Sequence, residues 1–198
     1  ELLESAIERA PDDTSARLAL INVLTKQNRI TDAAEQYREL SNRDPENPDL
    51  LIQWGQLLLQ DTDRSIKDRR DDAAEIWIRL ADAREDDAVT LSQVADRLRG
   101  IDRSEQAIEL YRKAIEVDPT SPQYREYLGE YLFKLDRKEE ATQVWESIAA
   151  DDRRGRDSLV RLAEVFGTFE MPQRTLETWK EAAEFDLTFG QQLRYATK

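Results

Sequence analysis

The chain has 198 residues and a formal net charge of −13, with 42 Asp and Glu against 29 Lys and Arg. That balance disfavours sustained contact with nucleic acid or an anionic membrane, where affinity comes from clustered cations. There is no cysteine and no histidine, so disulfides, thiol and imidazole catalysis and most transition-metal sites are excluded, and the redox compartment stays open.

Hydrophobic residues make up 39%, with six Gly and six Pro, and charged residues 36%. This composition fits a folded helical chain made of thin stacked elements that expose much surface. No apolar run approaches the ~20 residues of a membrane span. The most apolar stretch, 50–59, is interrupted by Gln53, Gly55 and Gln56, so no membrane insertion is expected.

The elements repeat. Residues 1–13 read as the second helix of a unit, because LLESAIERAP aligns with LYRKAIEVDP, Leu3 falling on Tyr111, Ala6 on Ala114 and Pro11 on Pro119. The first helix of that unit is missing, which leads to the expectation of a piece cut from a longer array. Residues 14–47 form the first full unit, with Leu20, Ile21 and Leu24 on one helix and Ala33, Tyr37 and Leu40 on the next. Residues 48–87 form the second, with six additional residues between its helices, placed in Asp61 to Asp71 and expected to be an exposed extension of the turn. Units three to five are 88–121, 122–155 and 156–189, and 190–198 reads as the start of a further or capping helix.

One aromatic marks each unit: Tyr37, Trp77, Tyr111, Trp145 and Trp179, at intervals of 40, 34, 34 and 34 residues. Within SEQAIELYRKAIEVDP, Ala107, Ile108, Tyr111, Ala114 and Ile115 make a single apolar stripe on a helix. Self-similarity at this period predicts stacked helical hairpins. The aromatics are expected in the core, where each buries 150–250 Å². Asp13, Asn47, Asp87, Ser121 and Gly155 close the units and are N-cap residues. Asp102 with Glu105, and Asp136 with Glu139, have the spacing of a capping box.

The acidic pairs, such as Asp86-Asp87 and Asp151-Asp152, fall mostly at junctions and helix starts, where Asp complements the dipole. Asp61 and Asp63 begin like a calcium loop, but the glycine and the closing glutamate are absent. No phosphate loop or nucleophile elbow is present. No catalytic residue, metal or cofactor is therefore expected.

The third unit carries Val94, Ala95, Leu98, Ala107, Tyr111, Ala114 and Pro119 at positions 7, 8, 11, 20, 24, 27 and 32. The fourth repeats it with Leu128, Gly129, Leu132, Ala141, Trp145 and Ile148. On these residues the whole chain resembles a tetratricopeptide repeat array. The first unit departs at Ile21, where a small residue is usual. The resemblance implies an all-α fold, a right-handed α-solenoid superhelix of antiparallel helix hairpins, and a concave groove lined by the first helix of each unit. It implies a groove that includes Asn22, Lys26, Asp49, Gln56, Ser92, Asp96, Arg99, Glu126, Glu130, Phe133, Lys134, Asp157, Val160 and Glu164. One subtype grips a chaperone's C-terminal carboxylate; of that clamp only Asn22 remains, with Leu18, Gln53, Val89 and Gln93 at the other places.

The implied function is a protein–protein interaction scaffold that binds a peptide or protein partner. The excess of acid in the later units is either a groove for a basic segment or solubilising charge. Two alternatives stay open: a structural or regulatory module whose enzymatic activity lies outside this chain, and self-association through the exposed ends.

Overall fold

The computed structural model describes residues 2–150 and 153–196. Among them are eleven α-helices and one short 3-10 turn, and no strand. Contacts divide the chain into two units, 1–113 and 114–198.

The first unit holds α1 (Leu2–Arg9), α2 (Thr14–Lys26), α3 (Ile30–Arg43), α4 (Pro48–Leu58), α5 (Ile66–Ala83), α6 (Ala88–Arg99) and most of α7 (Ser104–Val117). Helix α2 packs on α3 and α4 on α5, and α3 and α5 each pack on the first helix of the following pair. Short turns make each pair antiparallel. The core follows the repeating small and aromatic positions: Ala33, Ala73 and Ala107 are fully buried, and Tyr37, Trp77 and Tyr111 nearly or wholly so. Ile21, the departure from the small-residue pattern, is buried too.

The helix starts are capped as expected at three junctions. Asp13 accepts from the Ser15 and Ala16 amides, Asn47 from Leu50, and Asp87 from Val89 and Thr90. Hydrogen bonding from the Thr90 hydroxyl holds the Asp87 carboxyl below its ordinary pKa.

Inside the hairpins the capping-box expectation is corrected. Asp102 and Asp136 have φ of 62° and 61°, as do their counterparts Asn28 (58°) and Glu170 (54°). These left-handed residues close the preceding helix. The next amide reaches back to the carbonyl five residues earlier, as in Arg103 to Leu98 at 3.0 Å and Arg137 to Leu132 at 2.9 Å. Asp is good both as an N-cap and in the left-handed region, and here the second use wins.

The insertion also differs from expectation. Its second half continues α5 backwards to Ile66, with Ser65 capping through Asp68. Asp61 is buried, accepts from the Asp63 amide, and Arg69 donates to the Leu59 carbonyl at 2.8 Å. The lengthened helix meets the next turn through Arg70–Asp102 at 2.7 Å and Arg103–Asp71.

The second unit holds the end of α7, then α8 (Gln123–Lys134), α9 (Lys138–Glu146), the 3-10 turn Ser147–Ala149, α10 (Arg156–Thr168) and α11 (Pro172–Ala196). Helix α8 packs on α9, and α10 on both the 3-10 turn and α11. Its core is Tyr131, Leu132, Ala141, Trp145, Ile148, Leu162, Ala163 and Phe166. Ser121 is not the N-cap of α8. That place belongs to Pro122, while the Asp118 carboxylate gathers the Thr120 and Ser121 amides. Gly155 does cap α10, its amide donating to Ser158 Oγ at 3.0 Å.

Helix α11 is continuous from Pro172 to Ala196, and of the segment 190–198, expected to start a further or capping helix, residues 197–198 lie outside the described residues. One expectation near the end fails. Trp179 is 42% exposed rather than buried. The reason lies at position 8. A Cβ on Gly55 would overlap the Trp77 indole, and one on Gly129 would overlap that of Trp145. The fifth unit has Ala163 in place of that glycine, and Trp179 does not enter the core.

Candidate functional site

The groove residues implied by the sequence all lie on first helices. Asn22 and Lys26 are on α2, Asp49 and Gln56 on α4, and Ser92, Asp96 and Arg99 on α6. These belong to the first unit. Glu126, Glu130, Phe133 and Lys134 on α8, and Asp157, Val160 and Glu164 on α10, belong to the second.

In the first unit the side chains are not gathered around one cavity. Asn22, Lys26 and Asp49 are exposed. Ser92 is buried and its hydroxyl donates to the Val89 carbonyl at 2.9 Å, so it offers little to a ligand. Asp96 accepts from the Tyr111 hydroxyl at 2.5 Å. Burial, reinforced by the charge of Asp96, pushes the Tyr111 phenol well above its ordinary pKa. Asp96 is thus engaged in joining α6 to α7.

The second unit does gather them. A cavity of about 540 Å³ opens between α8 and α10, and Glu126, Glu130, Asp157, Val160 and Glu164 line it. Tyr127, Trp145, Arg161, Val165, Thr168 and Phe169 complete the wall. The floor is aromatic. Trp145 stacks on Phe169 with centroids 4.5 Å apart, Phe133 lies 5.1 Å from Phe169, and Phe166 meets Trp145 edge-on at 6.4 Å. Trp145 is fully buried and its indole N–H has no acceptor among the described residues. Phe133 does not line the cavity but lies against Trp145 and Phe169, and Lys134, also outside the lining, bonds Glu130.

The rim is acidic, with four carboxylates against the single guanidinium of Arg161. Arg161 bonds Glu126, which raises its pKa further. Three of the four carboxylates have a cationic neighbour on the protein itself: Glu126 beside Arg161, Glu130 beside Lys134 and Asp157 beside Arg156. Such a chamber suits a long basic side chain, whose alkyl stem lies on Val160, Val165 and Phe169 while its head reaches the carboxylates.

The residues that sequence reasoning missed fall at other positions of the unit. Tyr127 and Arg161 both stand at position 6 of their units, and Phe169 stands at position 14 beside the hairpin turn. Trp145, expected first of all in the core, is buried there and also borders the cavity. Among the described residues, no group of three or more acidic, His or Cys side chains could hold a metal ion. No helix among them is long and apolar enough to cross a membrane.

Residues 1–60 and residues 95–156 each match a family model described as tetratricopeptide repeat, together more than half of the chain. No curated protein matches. Among solved structures, one of MamA is 14% identical, with a TM-score of 0.48 over 86% of this chain and 96% of that one. YrrB, titled a TPR protein with an unusual peptide-binding site, is 16% identical, with a TM-score of 0.46 over 100% of this chain and 99% of its own. PilF of Pseudomonas aeruginosa is 18% identical, with a TM-score of 0.47 over 99% of this chain and 87% of its own.

Proposed function

This chain belongs to the tetratricopeptide repeat family, and on that premise we propose that it is a protein-interaction scaffold that receives a basic, partly apolar peptide segment between α8 and α10. The observation that carries this reading is the joining of four carboxylates to an aromatic floor in one cavity. Clustered like charge repels itself, and a cationic ligand relieves the repulsion. The aromatic floor adds apolar contact and a favourable face for a cation. The proposal excludes a chaperone-type carboxylate clamp, because Leu18, Gln53, Val89 and Gln93 lack the cations and amides such a clamp uses. The remaining groove residues on α2, α4 and α6 are proposed as contacts for a longer partner, with Ser92 withdrawn because it is buried.

The test is a peptide array of Lys- and Arg-bearing segments with acidic counterparts as controls, followed by calorimetry on the segments retained. Basic segments are expected to bind, with affinity falling as salt rises, because exposed charges are screened beyond ~8–10 Å. The Glu130→Lys/Glu164→Lys variant keeps its helical signal and loses binding. A retained segment whose affinity is indifferent to both salt and that reversal would overturn the proposal.

A further inference from the structure

Position 4 of each unit is a core position. Leu51, Leu91 and Leu159 occupy it in units two, three and five, and all are essentially inaccessible. In unit four the same place holds Arg125, which is only 4% exposed. Unit one also departs, with Arg17 there, buried and donating to Gln36. A guanidinium where three units put leucine is costly, because a buried charge needs compensation that leucine does not.

Among the described residues Arg125 has neutral hydrogen-bond partners only. Its Nε donates to Ser147 Oγ at 3.2 Å, and Nη1 donates to the carbonyls of Pro119 at 2.9 Å and Ser121 at 3.2 Å. Nη2 has no hydrogen bond among the described residues. Among the described residues no carboxylate bonds Arg125, and the carboxylate that influences it, Asp118, is taken by Thr120 and Ser121. Burial and the charge of Arg153 both pull its pKa down.

The guanidinium borders a cavity of about 370 Å³. Arg153 and Arg161 line it as well, with Thr120 and Ser158, whose hydroxyls donate to Asp118 and to the Arg153 and Gly155 carbonyls, and Asp157 is the one carboxylate among the described lining residues. The Asp157 side chain is fully exposed and lies 3.7 Å from Arg156. The first turns of α8 and α10 border the same space, which adds the partial positive charge of two helix starts. In a chain of net charge −13, three guanidiniums around one hollow are against the general trend.

We infer that this hollow is an oxyanion site, one that takes a phosphate or carboxylate group against Arg125. The geometry suits it, since Nη2 keeps its donors while Nε and Nη1 are engaged, and a charged guanidinium N–H bonds an oxyanion strongly. The site goes beyond the acidic cavity and is opposite to it in sign.

The test measures the thermal midpoint of the whole chain in inorganic phosphate and, separately, in acetate, with chloride holding the ionic strength constant. Phosphate at ten times its Kd is expected to raise Tm by about 3–6 °C, and the rise should saturate. A response to phosphate and not acetate assigns the site to a phosphate group, and the converse to a carboxylate. Arg125→Leu introduces the residue used by units two, three and five, so without ligand its Tm should equal or exceed that of the parent, and the anion response should vanish. Arg17→Leu, the same change at position 4 of the first unit, should leave the response intact, as should Glu130→Lys/Glu164→Lys. Asp151 and Asp152 lie outside the described residues; Asp151→Asn/Asp152→Asn removes two neighbouring charges in sequence, and the response should persist or strengthen. No saturable response to either anion, an equal response in Arg125→Leu, or its loss in Arg17→Leu would overturn the inference.

Discussion

The glycine at position 8 and the indole at position 24 act as one object. Gly129 leaves the space that Trp145 occupies, whereas the third unit pairs Ala95 with the smaller Tyr111, and all four are buried. Gly129→Ala gains the helix propensity of alanine, worth about 0.5–1 kcal/mol, but drives a methyl into a buried ring that cannot swing away. The overlap wins, and the variant should lose about 1–3 kcal/mol. Adding Trp145→Tyr should recover part of the loss, because it recreates the Ala95–Tyr111 pairing. Urea unfolding of the two single variants and the double variant checks this through the sign of the coupling energy. Independent, additive losses would show that the two side chains do not share one space. The same size rule explains why Trp179 was misread. Its spacing matches the other aromatics, but Ala163 stands opposite, and a 34-residue period does not register one methyl group.

Among the elements, the hairpin turns are the most regular and were the least legible. Asn28, Asp102, Asp136 and Glu170 hold the same left-handed conformation at position 15 of four units. Asn and Asp tolerate that region through local hydrogen bonding, while Glu gains no such relief. Glu170→Gly should therefore raise stability by about 0.5–1 kcal/mol, read as a shift in the urea midpoint with unchanged slope. A loss of stability would mean that the Glu170 side chain contributes something the turn geometry does not account for. The second unit lacks this turn because the insertion replaces it, and the insertion's helical half was hidden by its charge. Asp68 to Asp72 reads as a solvated loop, yet ion pairs to the next turn let it extend α5. By contrast the N-caps Asp13, Asn47 and Asp87 were plain in the sequence, since each precedes an apolar helix start and has a side-chain acceptor of the right length.

For the whole molecule, the period of the aromatics was enough to predict an all-helical array. The acidic cavity was only half legible, because its carboxylates follow the repeat positions while its aromatic floor doubles as core. The net charge of −13 makes alkaline pH the revealing perturbation, since each further ionisation adds to an existing excess. Burial raises the pKa of both Tyr37 and Tyr111, the second also through Asp96. The folded chain then holds these protons more tightly than the unfolded chain. Their contribution is complete below the unfolded phenol pKa of about 10 and is lost as pH rises above it. Urea midpoints should fall steeply from pH 9.5 upward, as order-of-magnitude bounds of that window, and Tyr111→Phe should flatten the fall. An unchanged slope in Tyr111→Phe would show that the phenol does not control the alkaline limit.

The alternation of Gly with Trp and Ala with Tyr bears on how near-identical segments find their own mates during folding. A chain of similar hairpins is prone to swapping, in which a helix pairs with a neighbour's partner. Here the wrong pairing carries a penalty in either direction. Trp77 laid against Ala95 collides with a methyl, and Tyr111 laid against Gly129 leaves a void. Differences of one methyl group thus serve as addresses, and they make identical consensus repeats a poorer template for this molecule than its own irregular ones.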